Sequence, residues 1–291
     1  MEQPHYDRAR EDIGNIVGLG HVNTMIPEQG LATLFYVTGL GLTRDPFIST
    51  STDNMWINVG QSQFHLPTGR LEVLRGITGL VLPDREALLK RLARLRQPLE
   101  GTGFDFRESN DGIEAVSPWG NRIHCHAPDL QRFGKVALGM AYVRFDVRPG
   151  SGTGIARFYR EVLGAPAELL DDREGRRARV TVGPRQHLVF AETDALEQAY
   201  DGHHVQIDVA DFSGPHRRLK ELELVTEESN QHQYRFRDIV DLDTRRVLFT
   251  VEHEVRSMLH PMFARQLVNR DPAQTVMNYR PGRDSTPWSL E

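Results

Sequence analysis

The chain has only one cysteine, Cys125, among its 291 residues. An intramolecular disulfide is therefore excluded, and so is a zinc module built from several thiolates. No run approaches the roughly 18 apolar residues of a membrane-spanning helix, and the charged N-terminal segment predicts no signal peptide. Lysine and arginine (35) are mixed with aspartate and glutamate (40) along the whole chain, which predicts no basic surface for nucleic acid. These absences indicate a cytoplasmic globular protein that binds neither nucleic acid nor membranes.

The composition does supply the apolar side chains that a folded core needs. Hydrophobic residues make up 39% of the chain and charged residues 26%, which is far from the composition of a disordered protein. A chain of 291 residues is also longer than most single domains, so the length predicts two domains of ordinary size.

Four segments begin with a short apolar alternation that is typical of a half-buried strand. They are residues 20–28, 76–84, 141–149 and 203–211. A helical pattern follows each one, and turn signals then separate further strand-like runs. The spacing predicts one unit of a strand, a helix and about three further strands, repeated along the chain. For two of the helices the start is also predicted: Asp84 caps one, and the other begins at Ser213.

Four local strings resemble sequences of the vicinal oxygen chelate superfamily, which includes glyoxalases, bleomycin-resistance proteins and type I extradiol dioxygenases. Residues 34–42 (LFYVTGLGL) and 156–166 (ARFYREVLGAP) resemble its first-helix signature. Residues 117–128 (SPWGNRIHCHAP) resemble its closing strand, and residues 202–211 (GHHVQIDVAD) resemble the strand that opens a metal-binding module. The resemblance implies an α+β fold of four tandem βαβββ modules, paired into two cup-shaped domains.

The resemblance also implies a domain organisation. We expect an N-terminal tail over residues 1–13 and a first domain over 14–134 with modules one and two. A second domain over 135–255 would contain modules three and four, and residues 256–291 would form a C-terminal arm. That arm is expected to pack over a domain or over the neighbouring subunit of a homodimer. Four-module chains in this superfamily are most often ring-cleaving dioxygenases.

Metal ligands in the superfamily come from the start of the opening strand and the middle of the closing strand of each module. By resemblance, these positions are His21 and His65 in module one, and Ile77 and His124 in module two. The first domain thus offers three imidazoles. Three neutral nitrogens that leave coordination positions open suit a divalent transition metal such as Fe²⁺ or Zn²⁺, with Mn²⁺, Co²⁺ or Ni²⁺ as alternatives.

The second domain offers an alternative ligand set by the same resemblance. Its opening positions are Tyr142 and His204, and Glu252 lies on the closing strand of module four, while module three closes near His187. Neighbouring strand residues face opposite ways, so only one of His203 and His204 can enter a cup.

Two residues are candidates for the general base that such chemistry needs, His126 and Tyr142. His126 shares a strand face with His124 and is also an alternative ligand. The competing structural interpretation is that each histidine is simply a hydrogen-bonded strand residue.

The predicted function is that of an enzyme that chelates a small-molecule substrate through two vicinal oxygens, with ring or C–C cleavage by O₂ as the first choice. A glyoxalase-like lyase or isomerase is the alternative within enzymes. A metal-free binding protein of the bleomycin-resistance kind is the other alternative, and it predicts a cup lined by aromatic residues such as Trp56 and Phe104. In the C-terminal arm, Arg256 or Arg265 is a candidate contact for an anionic substrate.

Overall fold

The computed structural model describes residues 6–48, 51–195 and 198–290. Residues 1–5 of the expected N-terminal tail and residue 291 of the expected arm lie outside the described residues. The strands are β1 (Ile16–Asn23), β2 (Thr43–Arg44), β3 (Asn54–Val59), β4 (Ser62–Pro67), β5 (Gly76–Val81), β6 (Asp105–Ser109), β7 (Gly112–Val116), β8 (Arg122–His126), β9 (Gly139–Val147), β10 (Ala167–Asp172), β11 (Gly175–Gly183), β12 (Gln186–Glu192), β13 (His204–Val209), β14 (Val225–Asn230), β15 (Gln233–Val240) and β16 (Val247–Ser257).

The helices are α1 (Gln29–Ala32), α2 (Arg85–Arg94), α3 (Leu130–Phe133), α4 (Gly152–Glu161) and α5 (Ser213–Glu221). A π-helical segment, Thr33–Gly39, continues α1, and a 3-10 turn covers Arg8–Glu11. Within the described ranges, no helix is both long and apolar enough to cross a membrane.

The fourfold repeat predicted from the sequence is present. Each module runs strand, helix and three further strands, beginning at β1, β5, β9 and β13. The predicted helix starts are confirmed as well, because the Asp84 carboxylate accepts a hydrogen bond from the Ala87 N–H at 2.9 Å and α5 begins at Ser213. Local pattern and capping chemistry therefore account for the module.

The modules form two eight-stranded sheets, in the orders β14-β15-β16-β13-β1-β4-β3-β2 and β10-β11-β12-β9-β5-β8-β7-β6. One sheet thus joins modules one and four, and the other joins modules two and three. The sequence predicted consecutive pairs, one with two and three with four. In the structure, β1 of module one pairs with β13 of module four, and β5 of module two pairs with β9 of module three, both antiparallel. Residues 14–134 therefore contribute strands to both sheets.

Each sheet has one apolar and one polar face. In β13, Val205, Ile207 and Val209 belong to the hydrophobic core, whereas His204 and Gln206 alternate onto the opposite face. The apolar faces pack against the helices in one continuous core. The polar faces form two cups, which we name the one-four cup and the two-three cup after their modules.

The C-terminal arm follows β16 and packs across module one. The side-chain amide of Asn58 donates to the Val268 carbonyl at 2.9 Å. Asn269 makes two further hydrogen bonds to the backbone of Gly60, at 3.0 and 2.9 Å. At the far end of the arm, the Trp288 carbonyl accepts from the Ala137 N–H at 2.9 Å. The arm therefore extends from the one-four sheet to the strand that opens module three.

Candidate metal centre

Three histidines from three neighbouring strands meet in the one-four cup. His21 lies on β1, between His65 on β4 and His204 on β13. The His21 ring centroid is 5.7 Å from that of His65 and 5.5 Å from that of His204. The indole of Trp56 stacks on His65 with a centroid distance of 3.9 Å and fixes the plane of that imidazole. The sheet order therefore brings together residues from opposite ends of the chain.

The Nε2 atom of each of these imidazoles is buried and has no hydrogen-bond partner among the residues that the structure describes. His21 is only 2% exposed and His204 7%. Burial, followed by the charge of Arg256, lowers the pKa of His21 well below its usual value. Burial and then Arg235 do the same to the pKa of His204, and burial lowers the pKa of His65 to about 4. All three rings are therefore neutral near pH 7 and can each offer a nitrogen lone pair.

A carboxylate completes this group. His21, His204 and Glu254 each offer one ligand atom, and these atoms lie within 4.8 Å of one another. Glu254 is 3% exposed, and its Oε2 lies 3.6 Å from His204 Nε2. Arg235 donates to the same oxygen at 2.5 Å, and Arg256 Nη2 lies 2.6 Å from Oε1. Two guanidinium groups thus contact this buried carboxylate.

Sequence reasoning singled out Glu252 on this strand and missed Glu254. Both carboxylates contact Arg235, and Glu252 Oε1 lies 3.7 Å from His204 Nδ1. The missed signal was the strand period, since residues two apart share a face. The register places Glu252 beside His204 and Glu254 beside Gln206.

The donor set fits a divalent transition metal. Two imidazoles and one carboxylate are a common ligand set for such ions, and the third imidazole lies beside them. A buried, neutral nitrogen without a partner is costly unless something binds to it. The two carboxylates, Glu252 and Glu254, lie against Arg235 and Arg256. The three imidazole Nε2 atoms are neutral lone pairs that have no hydrogen-bond partner among the described residues.

The two-three cup also contains a polar cluster, but its members bond to one another. The Tyr142 hydroxyl lies 2.9 Å from His126 Nε2 and 3.3 Å from His124 Nδ1. His126 Nδ1 donates to the Asp111 carbonyl at 2.9 Å, so His126 Nε2 accepts from the tyrosine. Gly79 makes room for this contact, because a Cβ there would lie 2.2 Å from the Tyr142 ring. Burial lowers the pKa of His126 to about 4.

One further group of potential ligands lies in this cup, formed by Asp111, His124 and His126. Its carboxylate is half exposed and is bound by the Arg132 guanidinium. Of the ring nitrogens of His124 and His126, His124 Nε2 is the one that is buried without a hydrogen-bond partner among the described residues. This group is therefore more exposed than the one in the one-four cup, and more of its polar atoms have hydrogen-bond partners.

The structure divides the ligand sets that the sequence combined. His21 and His65 lie in the one-four cup, whereas His124 lies in the two-three cup, so the three histidines cannot share one ion. Tyr142 is separated in the same way from His204 and Glu252. The reason in both cases is the observed pairing of modules. His204 does join the one-four cup, and His21 becomes its neighbour.

The remaining candidates are placed as follows. His126 and Tyr142 lie together in the two-three cup, and His187 is paired with Tyr142 in that sheet. His203 faces away from the cup, where its Nδ1 lies 2.6 Å from Asp201 Oδ1. Of the two aromatic residues, Trp56 lines the one-four cup, but Phe104 packs against the core beside Phe35.

A cavity of about 790 Å³ opens beside this metal-ligand group. His21 and Arg256 form part of its wall, together with Gln63 and Gln206 of the polar face. The cavity continues toward the seam between the two sheets, where Met140 and Gln186 line it. A small organic molecule therefore has space next to the histidine cluster.

No family model matches the sequence, and no curated protein matches it. Solved structures do match in fold. Glyoxalase I from Zea mays superposes with a TM-score of 0.57 at 12% identity, covering 87% of this chain and 95% of that one. A Bacillus subtilis protein provisionally described as a dioxygenase gives a TM-score of 0.56 at 13% identity, covering 84% and 86% of the two chains.

These similarities confirm the predicted fold. The chain has the fold of the vicinal oxygen chelate superfamily, with its βαβββ modules paired into two cups. Identities this low establish architecture alone, so the function must be argued from the chemistry of the site.

Proposed function

We propose that this protein is a metal-dependent enzyme whose active site is the one-four cup. His21, His204 and Glu254 would hold one divalent transition-metal ion, Fe²⁺ or Zn²⁺ in the first place and Mn²⁺, Co²⁺ or Ni²⁺ as alternatives, with His65 beside them. The observation that carries the proposal is the convergence of three buried Nε2 atoms that have no hydrogen-bond partner in the described part of the chain. Histidines with a purely structural role normally have such partners.

The bound ion would supply Lewis-acid chemistry toward a substrate that coordinates through two vicinal oxygens. The protein supplies the positioning. Arg235 and Arg256 hold the Glu254 carboxylate in place, and Trp56 fixes the ring plane of His65. Burial of the group keeps bulk water away and keeps the imidazoles neutral, so that they need not lose a proton to bind a cation.

The reaction that we propose first is oxidative ring or C–C cleavage by an extradiol-type dioxygenase. Two histidines and one carboxylate with open positions are the ligand set of non-haem Fe²⁺ oxygenases. The fold likeness to the Bacillus subtilis protein supports the same choice. A glyoxalase-like lyase or isomerase is the second candidate, supported by the likeness to Zea mays glyoxalase I. A metal-free binding protein is the third, supported by the Trp56 indole in the cup.

The general base predicted at His126 or Tyr142 lies in the two-three cup, so we assign it no step in the one-four cup. The binding of a small-molecule substrate in the one-four cup is part of this proposal. The homodimer and the cytoplasmic location stay predictions.

The metal site is tested by elemental mass spectrometry on untagged protein purified without chelators. We expect about one equivalent of transition metal in the wild type and in His124→Gln, and less than about a tenth of an equivalent in His204→Gln. Circular dichroism is used to check that the wild type and both variants are folded. Metal retained by His204→Gln and lost by His124→Gln would move the site to the two-three cup. If none of the three proteins contains metal, even after anaerobic addition of Fe²⁺, Zn²⁺ or Mn²⁺, the metal-enzyme proposal is wrong and the metal-free binding protein is the remaining candidate.

The type of reaction is tested with the loaded wild type and a panel of catechols and α-hydroxy ketones. A dioxygenase consumes one O₂ per catechol in the Fe²⁺ form and is inactive without oxygen. A lyase or isomerase turns over anaerobically, and with redox-inactive Zn²⁺ as well. Turnover under argon would therefore replace the dioxygenase proposal by the glyoxalase-like one.

A further inference from the structure

The C-terminal arm forms one wall of the cavity beside the proposed metal centre. Residues 262–267 and 288–289 of the arm line it, opposite β1 and the start of β4. The arm lies outside the four modules, so the fold does not need it to complete either sheet. It nevertheless covers the polar face of module one and turns an open cup into a bounded cavity.

The charged groups around this cavity are mainly cationic. Lys135, Arg185, Arg256 and Arg265 line it, and Asp208 is the acidic residue among the lining residues. Burial raises the pKa of Asp208 to about 6, so this residue keeps most of its negative charge at pH 7 and is one anion against four cationic lining residues. The rest of the wall is mixed: beside the glutamines it includes the apolar residues Leu19, Met140, Phe263 and Trp288. Such a cavity favours an anion with an apolar body.

Arg265 is the arm residue whose chemistry points most directly to a ligand. Its guanidinium binds the carboxylate of Asp45, which is almost fully buried. The Nε atom of Arg265 is buried and has no hydrogen-bond partner within the described ranges. A guanidinium can bind a carboxylate through two parallel hydrogen bonds, so this side chain has an unused donor at a place where it already binds one carboxylate.

The pair lies close to the proposed metal ligands. Gln63 Nε2 donates to Asp45 Oδ2 at 3.3 Å, and Gln63 is the residue opposite His21 in the β1–β4 pairing. Gln63 and His65 are two apart on the same strand face, which separates them by roughly 7 Å. A substrate bound at the metal could therefore reach Arg265 with a group several bonds from its chelating oxygens.

We propose that Arg265, assisted by Arg256, binds a carboxylate group of the substrate, and that the C-terminal arm is the substrate-recognition element of the one-four cup. This inference rests on the proposed function, because it places the carboxylate beside that metal site. The substrate class is then an apolar carboxylic acid that also carries two vicinal oxygens. Asp45 occupies the guanidinium in the free protein, and the incoming carboxylate competes with it.

The test uses matched probes, 3-phenylpropionate and its neutral amide, 3-phenylpropionamide, in calorimetric titrations of the full chain. We expect the acid to bind at least about 10-fold more tightly than the amide, because a charge-assisted hydrogen bond is lost in the amide. The preference should fall to about 2-fold or less in Arg265→Gln. Arg280→Gln, an exposed arginine elsewhere in the arm, is the matched control and should retain the full preference.

Asp45 supplies a variant with the opposite expected sign. Asp45→Asn removes the internal competitor, so acid binding should become tighter by about 3-fold or more. If the ion pair only held the arm in place, Asp45→Asn and Arg265→Gln would both weaken binding. Arg265→Gln leaves a buried carboxylate without its partner, and the double variant Asp45→Asn/Arg265→Gln removes that problem. It should fold and show no acid preference.

The titrations are made on chelator-treated and on Zn²⁺-loaded protein, so that the two proposals can fail separately. Equal binding of acid and amide by the wild type in both states would overturn the carboxylate proposal, whatever the metal content. Tighter binding of 2-phenylethyl phosphate than of 3-phenylpropionate would overturn the choice of carboxylate. A retained acid preference in a protein that binds no metal would instead refute the proposed function.

Discussion

The two cups are built from equivalent strands in the same order, yet their polar clusters are hydrogen-bonded to different degrees. In the one-four cup, three imidazoles present Nε2 atoms that have no hydrogen-bond partner among the described residues. In the two-three cup, the hydroxyl of Tyr142 lies between two imidazoles, the Asp111 carbonyl accepts a hydrogen bond from His126 Nδ1, and His124 Nε2 is the ring nitrogen left unpaired in the described structure. The repeated fold therefore carries one cup with three unpaired Nε2 atoms and one whose polar cluster is largely hydrogen-bonded within itself.

The difference arises from a few side chains at equivalent places. His204 pairs with Asn23 across the first sheet, and Tyr142 pairs with Gly79 across the second. The missing side chain of Gly79 lets the Tyr142 ring lie over the strand and reach both histidines. In the one-four cup the corresponding position holds an imidazole, and the nearby carboxylates are held by arginines. Satisfied hydrogen bonds, rather than the presence of histidine, separate a structural cluster from a candidate metal centre.

The largest expected effect distinguishes the two carboxylates of the one-four cup. Glu254→Gln should weaken Zn²⁺ binding by at least about 100-fold, because it removes a direct ligand, whereas Glu252→Gln should cost about 10-fold or less. Both residues bind Arg235, so each variant is the control for the other. Competition titrations with a chromophoric chelator measure the affinities. A greater loss in Glu252→Gln would restore the carboxylate that the sequence suggested.

Lowering the pH should reduce the stability of the metal-free protein, because both cups contain buried neutral histidines. His65 and His126 each have a pKa of about 4 in the folded protein, below the value of about 6.5 in the unfolded chain. Below pH 6.5 the unfolded state binds more protons, so the free energy of unfolding falls as the pH is lowered toward 4, by roughly 1.4 kcal/mol per pH unit for each such buried histidine. His126→Gln removes one such histidine, so it should reduce that slope by about 1.4 kcal/mol per pH unit. Urea unfolding in the presence of a chelator, between pH 7 and 5, measures it; equal slopes would contradict the account.

A smaller effect compares the hydrogen bonds of the two cups directly. Tyr142→Phe should lower the free energy of unfolding by about 1–2 kcal/mol, because it leaves a buried nitrogen of His126 without its donor. His65→Phe should change it by less than about 0.5 kcal/mol in metal-free protein, since stacking on Trp56 is kept and the nitrogen that is removed has no partner. Urea unfolding of both variants checks this. A large loss in His65→Phe would mean that the one-four cup is structural too.

Much of the fold could be predicted from local sequence. Strand alternation and helix caps such as Asp84 act over a few residues, and they defined the modules. The pairing of β1 with β13 joins residues almost 200 positions apart, and nothing in a local pattern selects it over the pairing of neighbouring modules. The candidate site depended on that choice, so His21 and His204 were assigned to separate sets.

The details inside the cup were beyond local sequence for a different reason. Alternation predicted that only one of His203 and His204 can enter a cup, and in the structure His204 lies in the one-four cup while His203 contacts Asp201 on the other side. It could not choose between Glu252 and Glu254, because both lie on one strand face and the choice depends on the twist and register of β15 and β16. The role of Arg265 depends on where the arm crosses module one, which is a matter of tertiary packing.

We expect the one-four cup to bind a transition metal and the two-three cup not to. Crystals grown with one equivalent of Zn²⁺ and measured by anomalous diffraction above and below the zinc edge distinguish the two cups. We expect a single strong peak among His21, His204 and Glu254. A peak beside Asp111 and His124, or none at full zinc content, would contradict this expectation.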